Sequence, residues 1–320
     1  MEVVVLQQHT PRVQYISDIH LEHMRILNAE QLNPEQWVTP DPTADVLVLA
    51  GDIGWPDKPA YGLFLQWCSE HWPHVIVVAG NHEFYTTGGA SVGSASTTGG
   101  IPALSRYEKM NLIRLISRSL PNVHYLQEGR FEVQPGVWIL GCTLWSAIPE
   151  DMRKYALAGL NDFRQIYGSD VSVGTTFEEY ARWHKRDRDW LREELGAIKA
   201  RGEFAIVVTH HLPTMRLIHA EYADHPLNCC FATDLEALIL EMEPLAWICG
   251  HSHRANHMWL GSTQLALNPM GYPGERVGPR NRQAVLEVVL PTAPAAAGVV
   301  SAVAEQTHPH VIATPIVVVD

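Results

Sequence analysis

Residues Val75 to Tyr85 read VIVVAGNHEFY: five apolar or small residues, a glycine, then an amide, an imidazole and a carboxylate in succession at Asn81, His82 and Glu83. A run of this length and β-branching reads as a strand buried on both faces, so its polar end is where the buried segment stops. The same grammar recurs along the chain. VQYIS runs into Asp18-Ile19-His20, DVLVLA into Gly51-Asp52, FAIVVT into His210-His211, and LAWIC into Gly250-His251-Ser252-His253. Short apolar runs that end this way read as strands of an α/β sheet, in which ligands gather at the carboxyl ends of the strands.

Between these runs the sequence predicts helices. TTFEEYARWHKRDRDWLREELGAIKARG opens on a capping box of Thr175 with Glu178 and stops at Gly202; a second box, Thr233 with Glu236, precedes a helix closed by Pro244. Segments 59–72 and 103–119 read as further helices. VHYLQE, RFEVQ, GVWILGC, TQLALN and AVLEVVL read as strands without a long helix between some of them, which implies a second, partly antiparallel sheet. Two packed sheets flanked by helices fit this order.

At 320 residues with 46% hydrophobic content, the chain is long enough for one large α/β domain or two small ones. With 23 Lys+Arg against 35 Asp+Glu the net charge is -12, which disfavours nucleic acid and anionic membranes as partners. The five cysteines show no C-x-x-C spacing and read as buried thiols in a reducing compartment. The opening MEVVVLQQHTPR lacks the pattern of a signal peptide, and no apolar stretch approaches the roughly 20 residues of a bilayer span, so a cytoplasmic location is expected. Residues 86–100, TTGGASVGSASTTGG, read as a mobile loop directly after the Asn-His-Glu cluster. The Ala/Pro/Val-rich tail 292–320 reads equally as an edge strand or as disordered.

The strand ends supply Asp18, His20, Asp52, Asn81, His210, His251 and His253. One metal rarely needs that many protein ligands, whereas two divalent ions sharing a bridging carboxylate would use all of them and leave positions for water and a substrate oxygen. Asp52, alone after its glycine, is the natural bridge. The spacings Asp-x-His and His-x-His aim both members of each pair to one side if the backbone is extended. Imidazole and carboxylate donors without sulfur suit Mn, Fe, Zn or Ni.

These blocks, SDIH, GDI, GNHE, VTHH and GHSH in that order from Ser17 to His253, resemble the calcineurin-like metallophosphoesterase family. The resemblance implies a four-layer α-β-β-α sandwich with two mixed sheets and a dinuclear centre at the strand C-terminal ends, making residues 1–291 the catalytic domain. It implies Asp18, His20 and His253 on the first metal, Asn81, His210 and His251 on the second, and Asp52 bridging. His82, not a ligand, would face the leaving group. The implied activity is hydrolysis of phosphodiesters or small organic phosphate esters by attack of a hydroxide bridging the two ions, with phosphomonoesters or phosphoproteins as the alternative and a non-catalytic binding module as a third. The chain departs from the family at one point. Many members write the second block G-D-x-x-D, whose second aspartate hydrogen-bonds the catalytic histidine; here that position is Trp55, leaving Asp57, Glu83 or an unrecognised group to orient His82. Tyr85, Arg164 and His211, with Arg254 and Tyr272, are the candidates for substrate contact.

Overall fold

The computed structural model of the chain describes residues 10–86, 104–168, 173–275 and 280–290. All but the first residue of the 86–100 loop and the whole 292–320 tail lie outside these. The described residues build two sheets. In the first, β1 (Arg12–Ile16), β2 (Val46–Ala50), β3 (Val75–Val78) and β4 (Val123–Tyr125) run parallel in that order, and β11 (Val285–Glu287) lies antiparallel on the outer edge of β1. In the second, β6 (Val137–Cys142), β7 (Phe204–Thr209), β8 (Ala246–Cys249) and β10 (Thr263–Leu267) are parallel, with β5 (Gly129–Gln134) and β9 (Asn256–Leu260) antiparallel on the two edges.

Alternation along each strand sorts its side chains between two cores. Val48, Ala50, Ile76 and Val78 of the first sheet meet Ile139, Ile206, Val208 and Ile248 of the second. The opposite face of the first sheet, Leu47, Leu49, Val75 and Val77, is covered by Tyr61, Phe64 and Leu65 of α1 (Pro59–His71) and Ile113 of α2 (Arg106–Arg118). Two short helices follow, α3 (Arg153–Gly159) and α4 (Asp162–Gln165). The opposite face of the second sheet, Leu140, Val207 and Trp247, is covered by Leu191, Leu195 and Ile198 of α5 (Phe177–Ala200) and by Leu238 and Ile239 of α6 (Glu236–Met242). Both faces of the central strands are therefore out of water, which is why they read as continuous apolar runs; each fully buried Val, Leu or Ile contributes roughly 1.5–3 kcal/mol. The layers are helix, sheet, sheet, helix.

Some local expectations shift. The long helix starts one residue later, with Thr176 and Glu179 forming the capping box; Thr175 instead donates its hydroxyl to the Ile166 carbonyl, and Glu178 pairs with Arg153. Thr233 does not cap α6: its hydroxyl accepts the Ala147 N–H, and the Glu236 N–H goes to Asp234 Oδ1. A capping box absent from the sequence reading, Ser105 with Glu108, opens α2. The later strands do not form one sheet, since β4 and β11 join the first and β5, β6 and β10 the second.

Candidate active site

Because the central strands of both sheets are parallel, β1, β2 and β3 deliver Asp18, Asp52 and Asn81 at their carboxyl ends, and β7 and β8 deliver His210 and His251. The segments beyond are not extended, as the pair spacing had implied. Asp18, His20, Asp52, His251 and His253 all have left-handed backbones, with φ between 51° and 70°. Such conformations cost of order 1–3 kcal/mol each in a non-glycine residue and persist only where the surroundings enforce them. Here hydrogen bonds do so: Asp18 N–H donates to the Gly51 carbonyl at 3.0 Å, His20 N–H to the Asp52 carbonyl at 3.0 Å, and His251 N–H to Asp18 Oδ1 at 3.0 Å.

Two side-chain clusters share Asp52, and a third joins His20 to Glu22, His23 and His82. Asp18, His20, Asp52 and His253 bring ligand atoms within 4.8 Å of one another, and so do Asp52, His210 and His251, so Asp52 belongs to both. His20 Nε2 lies 3.0 Å from His253 Nε2, His253 Nε2 is 3.3 Å from Asp18 Oδ1, and His210 Nε2 is 3.3 Å from Asp52 Oδ2. Three of the histidines are held from behind through Nδ1: His20 by Glu22 at 3.0 Å, His210 by the Ala50 carbonyl at 2.9 Å, His253 by Glu275 at 2.7 Å. An acceptor on Nδ1 fixes the tautomer and turns the Nε2 lone pair to the centre, as metal-binding histidines require.

The donor set fits divalent cations on two further observations. Asn81 Oδ1 is buried without a hydrogen-bond partner, an arrangement that is costly unless something else engages it. The second is that its buried carboxylates and imidazoles hold one another's charge. Burial alone would raise the Asp52 carboxyl, but His210 and His82 hold it well below the usual range. Conversely, burial works against a charged His210, yet Asp52 draws it up to about 9. His251 sits far below the ordinary histidine value because it is buried and faces His211 and His210.

Gly80 serves this geometry by clearance. Its backbone is not left-handed, but a Cβ would stand 2.1 Å from Asp52 Oδ1 and 2.8 Å from the His210 ring, so only glycine lets the shared carboxylate sit where it does. We expect Gly80→Ala to lose about 1–3 kcal/mol of stability and to bind metal weakly. Thermal unfolding and metal analysis of the purified variant test this; wild-type metal content would mean that Asp52 can move aside.

His82 follows Asn81 in the turn after β3. Its N–H donates to Asp52 Oδ1 at 2.9 Å, and its Nδ1 lies 2.8 Å from Glu22 Oε1. Neither expected partner orients it. Asp57 pairs with the Lys109 ammonium, and Glu83 turns inward to accept the N–H groups of Asp52 at 2.9 Å, Ile53 at 2.7 Å and Gly80 at 2.7 Å. Burial would lower the His82 pKa, but Asp52 and Glu22 hold it raised. The Glu22 carboxyl is itself depressed to about 2, its desolvation outweighed by hydrogen bonds to His20 and His82.

The substrate-contact candidates fare differently. Tyr272 brings its hydroxyl to 3.1 Å from His82 Nε2 and its ring to 4.3 Å from that of His20. Tyr85 lines the same cavity, but its hydroxyl donates to buried Asp162 at 2.6 Å while accepting from the Asn81 amide at 3.0 Å, so it braces Asn81. His211 is fully buried behind the site, its ring tilted against that of His251 with centroids 4.2 Å apart and its Nε2 3.4 Å from the Tyr180 hydroxyl. Arg164 binds the Ala158 carbonyl and Asn161 and does not line the cavity; Arg254 reaches Glu221 and Tyr222. The sequence reading missed Glu22, Asp162 and Glu275, which lie off the strand ends. Their one signal is that Glu22 and Glu275 are acidic residues close in sequence to His20 and to Tyr272.

The family profile for calcineurin-like phosphoesterases matches residues 11–255, which spans every residue of both clusters. The chain belongs to the calcineurin-like phosphoesterase family. It is accordingly a metal-dependent phosphoric ester hydrolase, of a family that works with a dinuclear metal centre. A relative, Uncharacterized protein L509 of Acanthamoeba polyphaga mimivirus, is 26% identical over 276 residues, covering 82% of this chain and 92% of that one. Among solved structures, the phosphopantetheinyl hydrolase PptH of Mycobacterium tuberculosis superposes with a TM-score of 0.63 at 18% identity, over 89% of this chain and 99% of that one. At that identity it speaks for the fold. No helix among the described residues of this phosphoesterase is long and apolar enough to cross a membrane.

Proposed function

We propose that residues 1–291 hydrolyse phosphodiesters or small organic phosphate esters, with Asp18, His20 and His253 on one divalent cation and Asn81, His210 and His251 on another. Asp52 bridges them, and His82 is the proton donor to the leaving oxygen. The observation that carries this reading is the sharing of Asp52 by two clusters, three of whose four histidines are held through Nδ1 with Nε2 turned inward. Two divalent cations held there supply an activated water and neutralise the phosphate oxygens. Mn, Fe, Zn and Ni all suit the donors. The residues of the chain do the rest. Asp162 and Tyr85 hold the Asn81 amide so that Oδ1 faces the centre, Glu22 fixes His82 from behind, and Tyr272 closes over both His20 and His82.

A cavity of about 380 Å³ opens from the cluster, bounded by Leu160, Ile218, Leu227 and Phe231 on one side and Tyr272 on another. Its concave, partly apolar form favours a small ester over a folded phosphoprotein, whose surface would have to enter it. Five unpaired thiols, of which Cys68, Cys142, Cys230 and Cys249 are buried, suit a cytoplasmic location.

The test is turnover of bis-p-nitrophenyl phosphate and p-nitrophenyl phosphate by protein stripped with a chelator and reloaded with Mn²⁺. Hydrolysis of the diester should vanish on stripping and return with metal. Metal bound in both sites without turnover of either ester would make this chain a binding module instead.

A further inference from the structure

Resting on that reading, the structure assigns to Glu22 a positioning role that no strand-end residue fills: one carboxylate oxygen aligns both the proton donor His82 and the metal-site histidine His20. The side chain of Glu22 is only 2% exposed. It projects from a single turn of 3-10 helix, Leu21–His23, that begins directly after left-handed His20. Its Oε1 lies 2.8 Å from His82 Nδ1 and 3.0 Å from His20 Nδ1, and the two rings meet edge-on with centroids 4.5 Å apart. A carboxylate oxygen carries two lone pairs and only accepts, so both Nδ1 atoms carry their hydrogens toward it. Both rings then turn Nε2 away from Glu22. For His20 this presents a lone pair toward Asp52 and His253; for His82 it presents Nε2 to the cavity, where the Tyr272 hydroxyl now stands at 3.1 Å.

The neighbouring residues leave no other group for this task. Trp55, at the position of the second aspartate in G-D-x-x-D, has only an indole N–H, which is buried and unpartnered and cannot accept from a histidine. Asp57 is engaged by Lys109, and Glu83 by backbone N–H groups. His23 approaches Glu22 Oε1 at 3.7 Å from the solvent side, too far for a hydrogen bond, so Oε1 has just the two histidines. An aspartate in the second block would orient the proton donor alone. A carboxylate shared with His20 couples the two, so that loosening it disturbs metal affinity and leaving-group protonation together.

The experiment uses the full-length Mn²⁺-loaded protein with Glu22→Gln, which keeps size and one acceptor, and Glu22→Ala, which removes both contacts. Metal affinity is measured by calorimetric titration of the stripped proteins, and turnover at saturating Mn²⁺ on two diesters that differ only in leaving group, p-nitrophenyl and alkyl. Loss of an outer partner of a metal-site histidine typically weakens affinity or activity by about 10–100-fold. Glu22→Ala should weaken Mn²⁺ binding in that range and lose more turnover on the alkyl ester than on the nitrophenyl one, with Glu22→Gln intermediate in both. Weakened metal binding with unchanged leaving-group dependence would remove Glu22 from the alignment of His82. Unchanged metal binding would remove it from His20, and equal losses on both esters would make its role structural. An inactive wild type would instead count against the proposed function, since the metal titration reads His20 alignment without turnover. Circular dichroism of the isosteric Gln variant excludes unfolding as the cause.

Discussion

Asp52→Asn is expected to abolish turnover and to strip both cations together. Asp52 is the residue common to these two clusters, only 1% exposed and flanked by His20 at 3.8 Å and His210 at 3.3 Å. An amide offers one neutral oxygen where the carboxylate offers two that share a negative charge, and its NH₂ turns donors toward a site built to hold cations. With both electrostatic stabilisation and water activation lost, kcat/KM should fall by at least ~10³-fold. Elemental analysis of the purified variant is the decisive measurement: one metal retained in full would show that Asp52 belongs to a single site. Asp57→Asn, five residues along the chain and paired with Lys109, should leave metal content and turnover near wild type.

Most of the fold and the inner site were legible because one physical rule governs both. A parallel strand buried on each face must be apolar throughout, so the first polar residue after it marks a sheet end, where functional groups converge. That rule found Asp18, Asp52, Asn81, His210 and His251 without knowledge of any contact. It could not find Glu22 or Glu275, whose side chains return to the site from turns after the strand ends, nor Asp162, which reaches Asn81 from α4. Gly80 is needed because Asp52 occupies the space of its Cβ, a contact that no local pattern displays. The mechanism of local geometry was also misread in one place. The Asp-x-His pair looked extended, yet both Asp18 and His20 are left-handed. Sequence spacing constrains which residues can converge, but a loop held by hydrogen bonds from a neighbouring strand end can satisfy the same spacing with a different backbone. Likewise Thr175-Thr176 and Glu178-Glu179 offer two equivalent capping boxes, and the choice is made by the Ile166 carbonyl, which takes the Thr175 hydroxyl.

His82→Ala should keep both metals and slow turnover by an amount that depends on the leaving group. The imidazole is not a member of either Asp52-sharing cluster, and Asn81 is braced by Asp162 and Tyr85 without its help, so truncation leaves the metal donors in place. What is lost is a ring whose Nδ1 is anchored on Glu22 and whose Nε2 faces the cavity. A p-nitrophenolate departs without a proton because its conjugate acid is already fairly strong, whereas an alkoxide is too basic to leave unaided. A well-placed general acid contributes roughly 10²–10⁴-fold, so the variant should lose at least ~10²-fold on an alkyl ester and far less on the nitrophenyl ester. Steady-state kcat on the two esters at saturating Mn²⁺ checks this. Equal losses on both would reassign His82 to stabilising charge on the transferring phosphoryl group, a role blind to the leaving group. That alternative has a structural counterpart: His82 also donates its backbone N–H to Asp52, so its main chain touches the centre whatever the side chain does. Because alanine preserves that N–H, a leaving-group-dependent loss in His82→Ala would trace to the imidazole alone.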